Sequence, residues 1–370
     1  MEKILKKIFR HLQLGSLLTL LFASTLLAGE IAKGPYLSWP TTHSIIVKWI
    51  SKSPTRGVVE FGPTENLGMT ALDSVATATH VIRLTNLKPN THYFYRVKNG
   101  ADSTQIYSFR TAPAGDSSFT FVAYGDSRSN HQAQQEILRL MVEQQPRFAL
   151  HTGDIVRNGK KASYWDKYFN DLCVYTHAGQ MVPIFYAIGN HERRSPLYFS
   201  YFELPHNNPL DTEEFYSFNY GMAHFIALSS EMPFKSGTAQ YKWLTKDLEK
   251  AAAKSRWIFV FFHRPPYSSG EHGSSKPIRK VWHPLFKKYH VTAVFSGHDH
   301  IYERTKPVDG VTYIVTGGGG APLYKFKPHK WTAHVESVYH LMRVDVSKNR
   351  VRFRMIRWDG TVGDEFVVKK

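Results

Sequence analysis

The chain has 370 residues, of which 42% are hydrophobic and 21% charged, the balance of an ordinary globular protein with enough residues for two cores. This composition excludes a low-complexity chain, and no solenoid repeat is present. The formal net charge of +17 favours anionic partners, although a basic surface that serves solubility alone is an equally good interpretation. The single cysteine, Cys173, excludes an intramolecular disulfide and a cysteine-rich zinc site.

Residues 1–28 are predicted to be a secretory signal peptide. A positively charged start precedes an apolar run from about Leu14 to Leu27, which is shorter than the roughly 20 residues of a membrane-spanning helix. We therefore expect an exported protein, secreted or periplasmic, that has no stable membrane span once the signal is cleaved. An uncleaved anchor is the alternative.

Residues 31–113 are predicted to form a small antiparallel β-sandwich. Short runs rich in β-branched and aromatic residues alternate there with turn residues, which is typical of such a domain. These runs are Ser44–Ile50, Gly57–Phe61, His80–Leu84, His92–Val97 and Ile106–Arg110. The segment around Tyr93 also resembles the turn and tyrosine region of a fibronectin type III module.

Residues 117–370 are predicted to form a layered α/β domain, because apolar strands alternate with amphipathic helices after a linker of small residues. The predicted strands are Phe119–Tyr124, Phe148–His151, Val182–Ile188, Trp257–Phe262, Val291–Phe295, Val311–Val315, Leu341–Val346 and Arg350–Ile356. The predicted helices are Gln132–Glu143, Tyr164–Leu172, Gln240–Ala252 and Arg279–Lys288.

Five polar clusters directly follow predicted strands of this domain. They are Gly125–Arg128, Gly153–Asp154, Gly189–Glu192, His263–Tyr267 and Gly297–His300. Ligands of α/β folds gather at the carboxyl ends of strands, so we expect these loops to converge. Carboxylates, an amide oxygen and several imidazoles together suit Fe, Mn or Zn better than calcium. The pattern therefore predicts a site for two transition-metal ions.

The order and content of these clusters resemble the calcineurin-like metallophosphoesterase superfamily, most closely its bacterial purple-acid-phosphatase-like branch, over about residues 31–370. Tyr302–Arg304, after the last histidine, belongs to the same signature. The resemblance implies a metallophosphatase αββα sandwich behind the fibronectin III-like domain. It also implies hydrolysis of small phosphomonoesters, as in acid phosphatases, by attack of metal-bound hydroxide.

The resemblance further implies a role for each site residue. The first metal ion is held by Asp126, Asp154 and His300. The second is held by Asn190, His263 and His298, with Asp154 bridging both ions. His191 contacts the phosphate or the leaving group. His272 lies near the substrate as a general acid, with a solvated loop residue as the alternative.

Two positions depart from the family pattern. Many superfamily members have histidine two residues after the first aspartate, and purple acid phosphatases have glycine, whereas this chain has Arg128. Purple acid phosphatases also take a tyrosine ligand three residues after the bridging aspartate, where this chain has Arg157. The first metal then lacks a familiar ligand, and the iron form is expected to be colourless. Arg128 either clamps a phosphate oxygen or pairs with a nearby carboxylate.

Other features are interpreted as structural or left open. Gly317–Gly320 is expected to permit a close backbone path near the metals rather than to bind phosphate. Tyr267, Tyr302 and Tyr324 are expected to line the pocket. A phosphodiesterase or nucleotidase, and a non-catalytic binding protein with a degenerate metal site, are the alternative functions. No motif indicates specific nucleic-acid binding, and the sequence leaves the oligomeric state open.

Overall fold

The computed structural model describes residues 29–370, so the predicted signal peptide lies outside the described residues. The front domain contains two antiparallel sheets, ordered β1-β2-β5 and β4-β3-β6-β7, with β8 paired to β6. Its strands are β1 (Ile31–Ser38), β2 (Ile45–Thr55), β3 (Gly57–Gly62), β4 (Met69–Leu72), β5 (Thr77–Leu84), β6 (His92–Asn99), β7 (Asp102–Ser103) and β8 (Tyr107–Arg110). Alternate residues of these strands, among them Trp49, Val59 and Tyr95, form the core between the sheets.

The larger domain has thirteen strands in two sheets. The strands are β9 (Phe119–Tyr124), β10 (Ala149–His151), β11 (Ile184–Tyr186), β12 (Tyr216–Tyr220), β13 (Ala223–Ala227), β14 (Trp257–Phe261), β15 (Ala293–Ser296), β16 (Tyr302–Thr305), β17 (Thr312–Thr316), β18 (Thr332–Glu336), β19 (His340–Val346), β20 (Arg350–Arg357) and β21 (Val362–Lys369). One sheet is ordered β11-β10-β9-β19-β20-β21 and the other β12-β13-β14-β15-β17-β16-β18.

Six α-helices accompany these sheets. They are α1 (His131–Glu143), α2 (Ala162–Phe169), α3 (Ala178–Met181), α4 (Pro196–Tyr201), α5 (Ala239–Lys254) and α6 (Lys276–Lys288), and a π-helical segment at Asn170–Tyr175 continues α2. Helices α5 and α6 bury Leu248 and Trp282 against one sheet, whereas α1 packs on the other through Ile137. The layers thus follow the order helix, sheet, sheet, helix, which confirms the predicted architecture.

The main core lies between the two sheets and is built of phenylalanines. The ring of Phe121 lies 5.5 Å from Phe148, 5.2 Å from Phe225 and 5.3 Å from Phe259, measured between ring centroids. These rings belong to strands or strand starts of both sheets, so their packing sets how the sheets face each other. The carboxyl ends of the central parallel strands consequently meet at one edge of the molecule.

The front domain is tied to the larger one by buried contacts. Tyr36 of β1 packs on Phe169, with ring centroids 5.0 Å apart, and the Tyr95 hydroxyl donates to the Gln180 carbonyl at 2.8 Å. The Lys48 ammonium, almost completely buried, lies 2.7 Å from the Glu203 carboxylate. These contacts fix the relative position of the two domains.

Several elements were not predicted. Strands β12 and β13 form a hairpin through Gly221, whose φ is +54°. Nearly all of their residues are buried on both faces, so the alternation that identifies a strand is missing.

None of the helices within residues 29–370 combines the length and the hydropathy needed to cross a bilayer.

Candidate metal centre

The six predicted metal residues lie on loops that leave adjacent strands at one edge of the two sheets. Asp126 follows β9, Asp154 follows β10 and Asn190 follows β11, and these three strands are parallel neighbours. His263 follows β14, and both His298 and His300 follow its parallel neighbour β15. The structure therefore brings residues separated by up to 174 positions in the chain to one site.

The backbone of this site is held in an uncommon conformation. Asp126, Asp154 and His298 have φ values of +56°, +55° and +71°, a region that side chains other than glycine rarely adopt. Such conformations cost free energy and concentrate at functional sites. The neighbouring glycines allow the close packing: a Cβ on Gly319 would lie 2.4 Å from the Gly125 carbonyl oxygen, and one on Gly317 would lie 2.2 Å from the Asp299 carbonyl oxygen.

His263 lies at the centre of the residues predicted to hold the second metal. Its Nε2 atom lies 3.1 Å from Asn190 Oδ1, 3.2 Å from His298 Nδ1 and 3.3 Å from Asp154 Oδ1. Its Nδ1 lies 3.0 Å from the Thr152 carbonyl oxygen. This hydrogen bond to a carbonyl orients the imidazole and leaves Nε2 facing the other three side chains, the usual arrangement for a metal-binding histidine.

Asp126 and His300 adjoin this group on the side predicted for the first metal. Asp126 is completely buried, and its Oδ2 accepts a hydrogen bond of 2.9 Å from the His298 amide. Its Oδ1 has no hydrogen-bond partner within the described part of the chain. His300 donates from Nδ1 to the Pro322 carbonyl at 2.6 Å, which places Nε2 at 3.6 Å from Asp126 Oδ1.

Burial and neighbouring charges shift the pKa values of the buried groups in this site. Burial raises the pKa of Asp126 well above its usual value. Burial opposes protonation of His263, yet the carboxylates of Asp154 and Asp126 raise its pKa to about 10. Burial, with help from nearby cations, lowers the pKa of His298 to about 2 and that of His300 to about 3, which keeps both imidazoles in the neutral form that binds metals.

The residues present therefore fit a pair of transition-metal ions. A buried carboxylate oxygen without a partner is costly unless a cation or donor satisfies it, and Asp126 Oδ1 is such an atom. Ligand atoms of Asp154, His263 and His298 already lie within 4.8 Å of one another. The combination of carboxylate, amide and imidazole donors is the set that Fe, Mn and Zn accept.

Arg128 lies among these side chains. Its Nε is 3.4 Å from Asp154 Oδ2, and its Nη2 is 3.3 Å from His300 Nε2. The predicted pairing with a carboxylate is thus present, and the guanidinium also lies beside His300, a residue predicted to hold the first metal. The side chain of Arg157 is exposed, and its carbonyl oxygen accepts a 2.7 Å hydrogen bond from His191 Nδ1.

The two histidines predicted to act on the substrate lie at the rim. His191 is partly exposed, and its Nε2 lies 3.7 Å from Asp154 Oδ2. Its amide donates to Asp154 Oδ1 at 2.9 Å. His272 is an exposed loop residue whose ring stacks on His298 with 4.3 Å between centroids, so it lies beside the site and is open to solvent.

Three carboxylates that organise the site were not predicted. Glu192 accepts backbone hydrogen bonds from both the Asp154 loop and the Gly189 loop. Asp299 accepts from the His272 amide at 2.8 Å, and Glu303 accepts from the Ser269 hydroxyl at 2.7 Å. Each lies inside or next to a motif named above, so its position was visible, but its role depends on loops distant in sequence.

The prediction for the three tyrosines was right for one of them. Tyr324 stacks on His300 with ring centroids 3.9 Å apart. Tyr302 is buried and donates to Asp364 at 2.7 Å. Tyr267 packs under Arg279, whose guanidinium carbon lies 3.9 Å from the ring centroid. The prediction that Tyr302 and Tyr267 line the pocket was therefore wrong, because hydrophobic packing and a buried hydrogen bond draw them elsewhere.

Comparison with known proteins agrees with the fold. Residues 119–302 match the calcineurin-like phosphoesterase family, and residues 32–111 match the purple acid phosphatase N-terminal domain. The chain is 27% identical to phosphoenolpyruvate phosphatase of Allium cepa over 318 residues, which are 76% of this chain and 64% of that protein. It is also 27% identical to acid phosphatase type 7 of Danio rerio, with 85% of each chain covered.

A solved structure shares the whole architecture. The purple acid phosphatase from yellow lupin seeds superposes with a TM-score of 0.80 at 21% identity, covering 90% of this chain and 74% of that one. The chain spans 64% of the Allium cepa protein and 53% of purple acid phosphatase 15 of Arabidopsis thaliana, about half to two thirds of these curated relatives. It belongs to the calcineurin-like phosphoesterase family and carries that domain behind a purple acid phosphatase N-terminal domain.

Proposed function

We propose that this protein is an exported phosphomonoesterase that depends on two transition-metal ions. The observation that carries the proposal is the convergence of six donor residues. One of them, the buried Asp126, has an Oδ1 atom that lacks a hydrogen-bond partner within residues 29–370. Asp126, Asp154 and His300 would hold one ion, and Asn190, His263 and His298 the other, with Asp154 shared. When bound, such ions polarise the phosphoryl group and make water a nucleophile near neutral pH.

The residues around the metals bind and orient the substrate. Arg128, already beside Asp154 and His300, presents a planar fork that matches two phosphate oxygens. Its contact of 3.4 Å with Asp154 is long for an ion pair, so Arg128 would exchange it for a phosphate oxygen when the substrate binds. The arginine therefore serves the resting site and the occupied site in turn.

The two rim histidines supply protons and hydrogen bonds. His191 donates from Nδ1 to the Arg157 carbonyl, so in the neutral imidazole Nε2 accepts and in the charged form it donates to a phosphate oxygen. His272 is held against His298 and has its amide fixed by Asp299. It is placed to protonate a leaving oxygen, a contribution typically worth about 10²–10⁴ in rate.

A phosphomonoester is the substrate class that the relatives favour. The matched proteins named above are a phosphoenolpyruvate phosphatase and an acid phosphatase. Their names support this class for our protein. A phosphodiester is the alternative substrate in the same assay.

The test is phosphate release from an aryl phosphomonoester and from an aryl phosphodiester, with Mn²⁺, Fe²⁺ or Zn²⁺ and with a chelator. Asp154→Asn should lose activity by at least about 10³ and bind fewer than two ions, because the shared carboxylate is removed. Asp171→Asn is the matched control, since Asp171 is buried and hydrogen-bonded to His131 and Gln135, neither of which belongs to the six metal residues.

Three outcomes decide between the functions. Metal-dependent turnover of the monoester that fails in Asp154→Asn and survives in Asp171→Asn supports the proposal. Turnover of the diester alone would replace it with a phosphodiesterase. No turnover of either ester in a protein that binds two ions would favour the non-catalytic binding protein.

Export and the domain division belong to the same proposal. We expect cleavage near residue 28, a sandwich domain at 31–113 and a catalytic domain at 117–370. The apolar run that ends at Leu27 supports the first point. Mass spectrometry of the protein recovered from the periplasm or medium would give the mature N-terminus, and a full-length chain that stays in the membrane fraction would contradict cleavage.

A further inference from the structure

A cleft of about 950 Å³ lies between the sandwich domain and the catalytic domain, far from the metal centre. Its lining includes Thr120 at the start of β9, whereas Asp126 follows the end of that strand. Six residues of extended chain span about 20 Å. The cleft is therefore a separate site, and the mechanism proposed above does not use it.

Positive charge dominates the wall of this cleft. Five arginines and a single carboxylate line it, namely Arg110, Arg147, Arg343, Arg350, Arg352 and Asp345. Asp345 already contacts Arg343 at 2.9 Å and Arg354 at 2.8 Å, and Arg352 lies 2.7 Å from Glu365. The carboxylates available at the wall are thus already occupied.

Three of the arginines have no carboxylate within 4.0 Å in the described chain: Arg110, Arg147 and Arg350. The Nε of Arg110 donates to the Asn90 carbonyl at 3.1 Å, and the Nη2 of Arg147 lies 3.3 Å from Asn90 Oδ1. Burial and the nearby Arg110 lower the pKa of Arg147. Like charges are therefore crowded where the two domains meet, which costs free energy unless an anion neutralises them.

The fold explains why these side chains share one wall. Residues 343 and 345 of β19, and residues 350 and 352 of β20, alternate with buried residues and so project from the same outer face of the sheet. From the other side, β8 of the sandwich contributes Arg110 and the loop before β10 contributes Arg147. An occupant of the cleft would thus contact both domains.

We propose that this cleft binds a small polyanion built of several phosphate groups, such as a condensed phosphate chain or the triphosphate of a nucleotide. Guanidinium groups match phosphate oxygens two at a time. Arginines from both domains suit several anionic groups in series better than one orthophosphate. The volume lies in the range of pockets that hold small molecules, which favours a small ligand over a nucleic acid.

The test is calorimetric titration of the metal-loaded, full-length protein with imidotriphosphate, a triphosphate analogue that resists hydrolysis. Wild type should bind at two sites, one at the metals and one in the cleft. The double variant Arg147→Gln, Arg350→Gln should lose the second site or bind there at least tenfold more weakly. Arg147 is partly exposed and Arg350 is exposed, so the fold of the double variant should persist. Inhibition of aryl phosphate hydrolysis by the same analogue should be unchanged, because it reports on the metal site alone.

The double variant Arg56→Gln, Lys250→Gln is the matched control for charge, since it removes two positive charges at exposed positions outside the cleft. Equal weakening by this control would show that net charge alone attracts the analogue and would overturn the proposal. A single site in wild type that orthovanadate displaces would place all binding at the metals and would also overturn it. A single-stranded oligonucleotide that binds the cleft more tightly than imidotriphosphate would replace the small polyanion with a nucleic acid. If the metal centre itself is inactive, the second site should still be measurable.

Discussion

Glu192→Gln tests whether the metal loops depend on one buried carboxylate. In the native site, Glu192 Oε2 accepts from the amides of Gly189 at 2.7 Å and Asp154 at 2.9 Å. Its Oε1 accepts from Ile155 at 2.8 Å and Val156 at 3.3 Å. The carboxylate thereby joins the loop that carries Asp154 to the loop that carries Asn190.

Glutamine keeps one of the two accepting oxygens, so two backbone amides would face the new NH₂ group. A buried donor left without an acceptor costs roughly 1–3 kcal/mol, and two such donors cost about 2–6 kcal/mol. If the loops relax to relieve even 2 kcal/mol of this cost, metal affinity falls roughly thirtyfold. That estimate agrees with the roughly 10- to 100-fold effect usual for residues that orient metal ligands.

The assay is competition of the protein with a chelator for Mn²⁺ or Zn²⁺, together with thermal melting of the metal-free and metal-loaded protein. Glu213→Gln is the control, because Glu213 is a buried glutamate that accepts from a single backbone amide, that of Leu204, away from the six metal residues. Glu192→Gln with unchanged metal affinity and unchanged melting temperature would refute the reasoning. A loss of metal affinity and of melting temperature in both variants would show only that the protein needs its buried glutamates for stability.

Four further predictions follow from particular contacts. Burial raises the pKa of Glu213 from 4.5 to about 7. The unfolded chain therefore releases this proton first, and the free energy of unfolding falls by up to about 3 kcal/mol as pH rises between those values. Urea unfolding at about pH 4.5 and pH 7.5 should show this loss of stability in wild type and not in Glu213→Gln. Asp299→Asn keeps one accepting oxygen and leaves the amide of either His272 or Gly273 without its acceptor, which should lower kcat/KM by roughly tenfold at full metal content; an unchanged rate would show that this contact does not position His272 for the reaction. Gly319→Ala places a Cβ 2.4 Å from the Gly125 carbonyl oxygen and should destabilise the protein by about 1–3 kcal/mol with loss of bound metal, and two ions retained per chain would contradict it. The iron-loaded protein should lack a tyrosinate band in its visible spectrum, because an exposed Arg157 occupies the position of the family's tyrosine ligand. Such a band would indicate that another tyrosine reaches the metal, for example Tyr324, which stacks on His300.

The order of layers was predictable because its signals are local. The apolar run of β9 and the helical repeat of apolar residues in α1 each lie within about a dozen residues, so neighbouring residues alone determine them. The polar clusters directly after β9, β10 and β15 were likewise visible, since glycine followed by a ligand residue is a short-range pattern. By contrast, β12 and β13 escaped prediction because burial on both faces removes the alternation.

The sequence by itself determined the fold class and showed the polar clusters at strand ends, from which the family resemblance predicts the six donor residues, because strand ends and residue types are properties of short segments. Only the tertiary structure decided what surrounds them. The insertion of β19 between β9 and β20 joins segments more than 200 residues apart and forms part of the arginine wall of the interdomain cleft. Asp126 is packed against Gly297 and Gly317, which lie on loops of the other sheet. Glu192, Arg128 and Tyr324 acquire their contacts from loops of other strands. Such contacts depend on how two sheets and two domains pack, which no local pattern encodes.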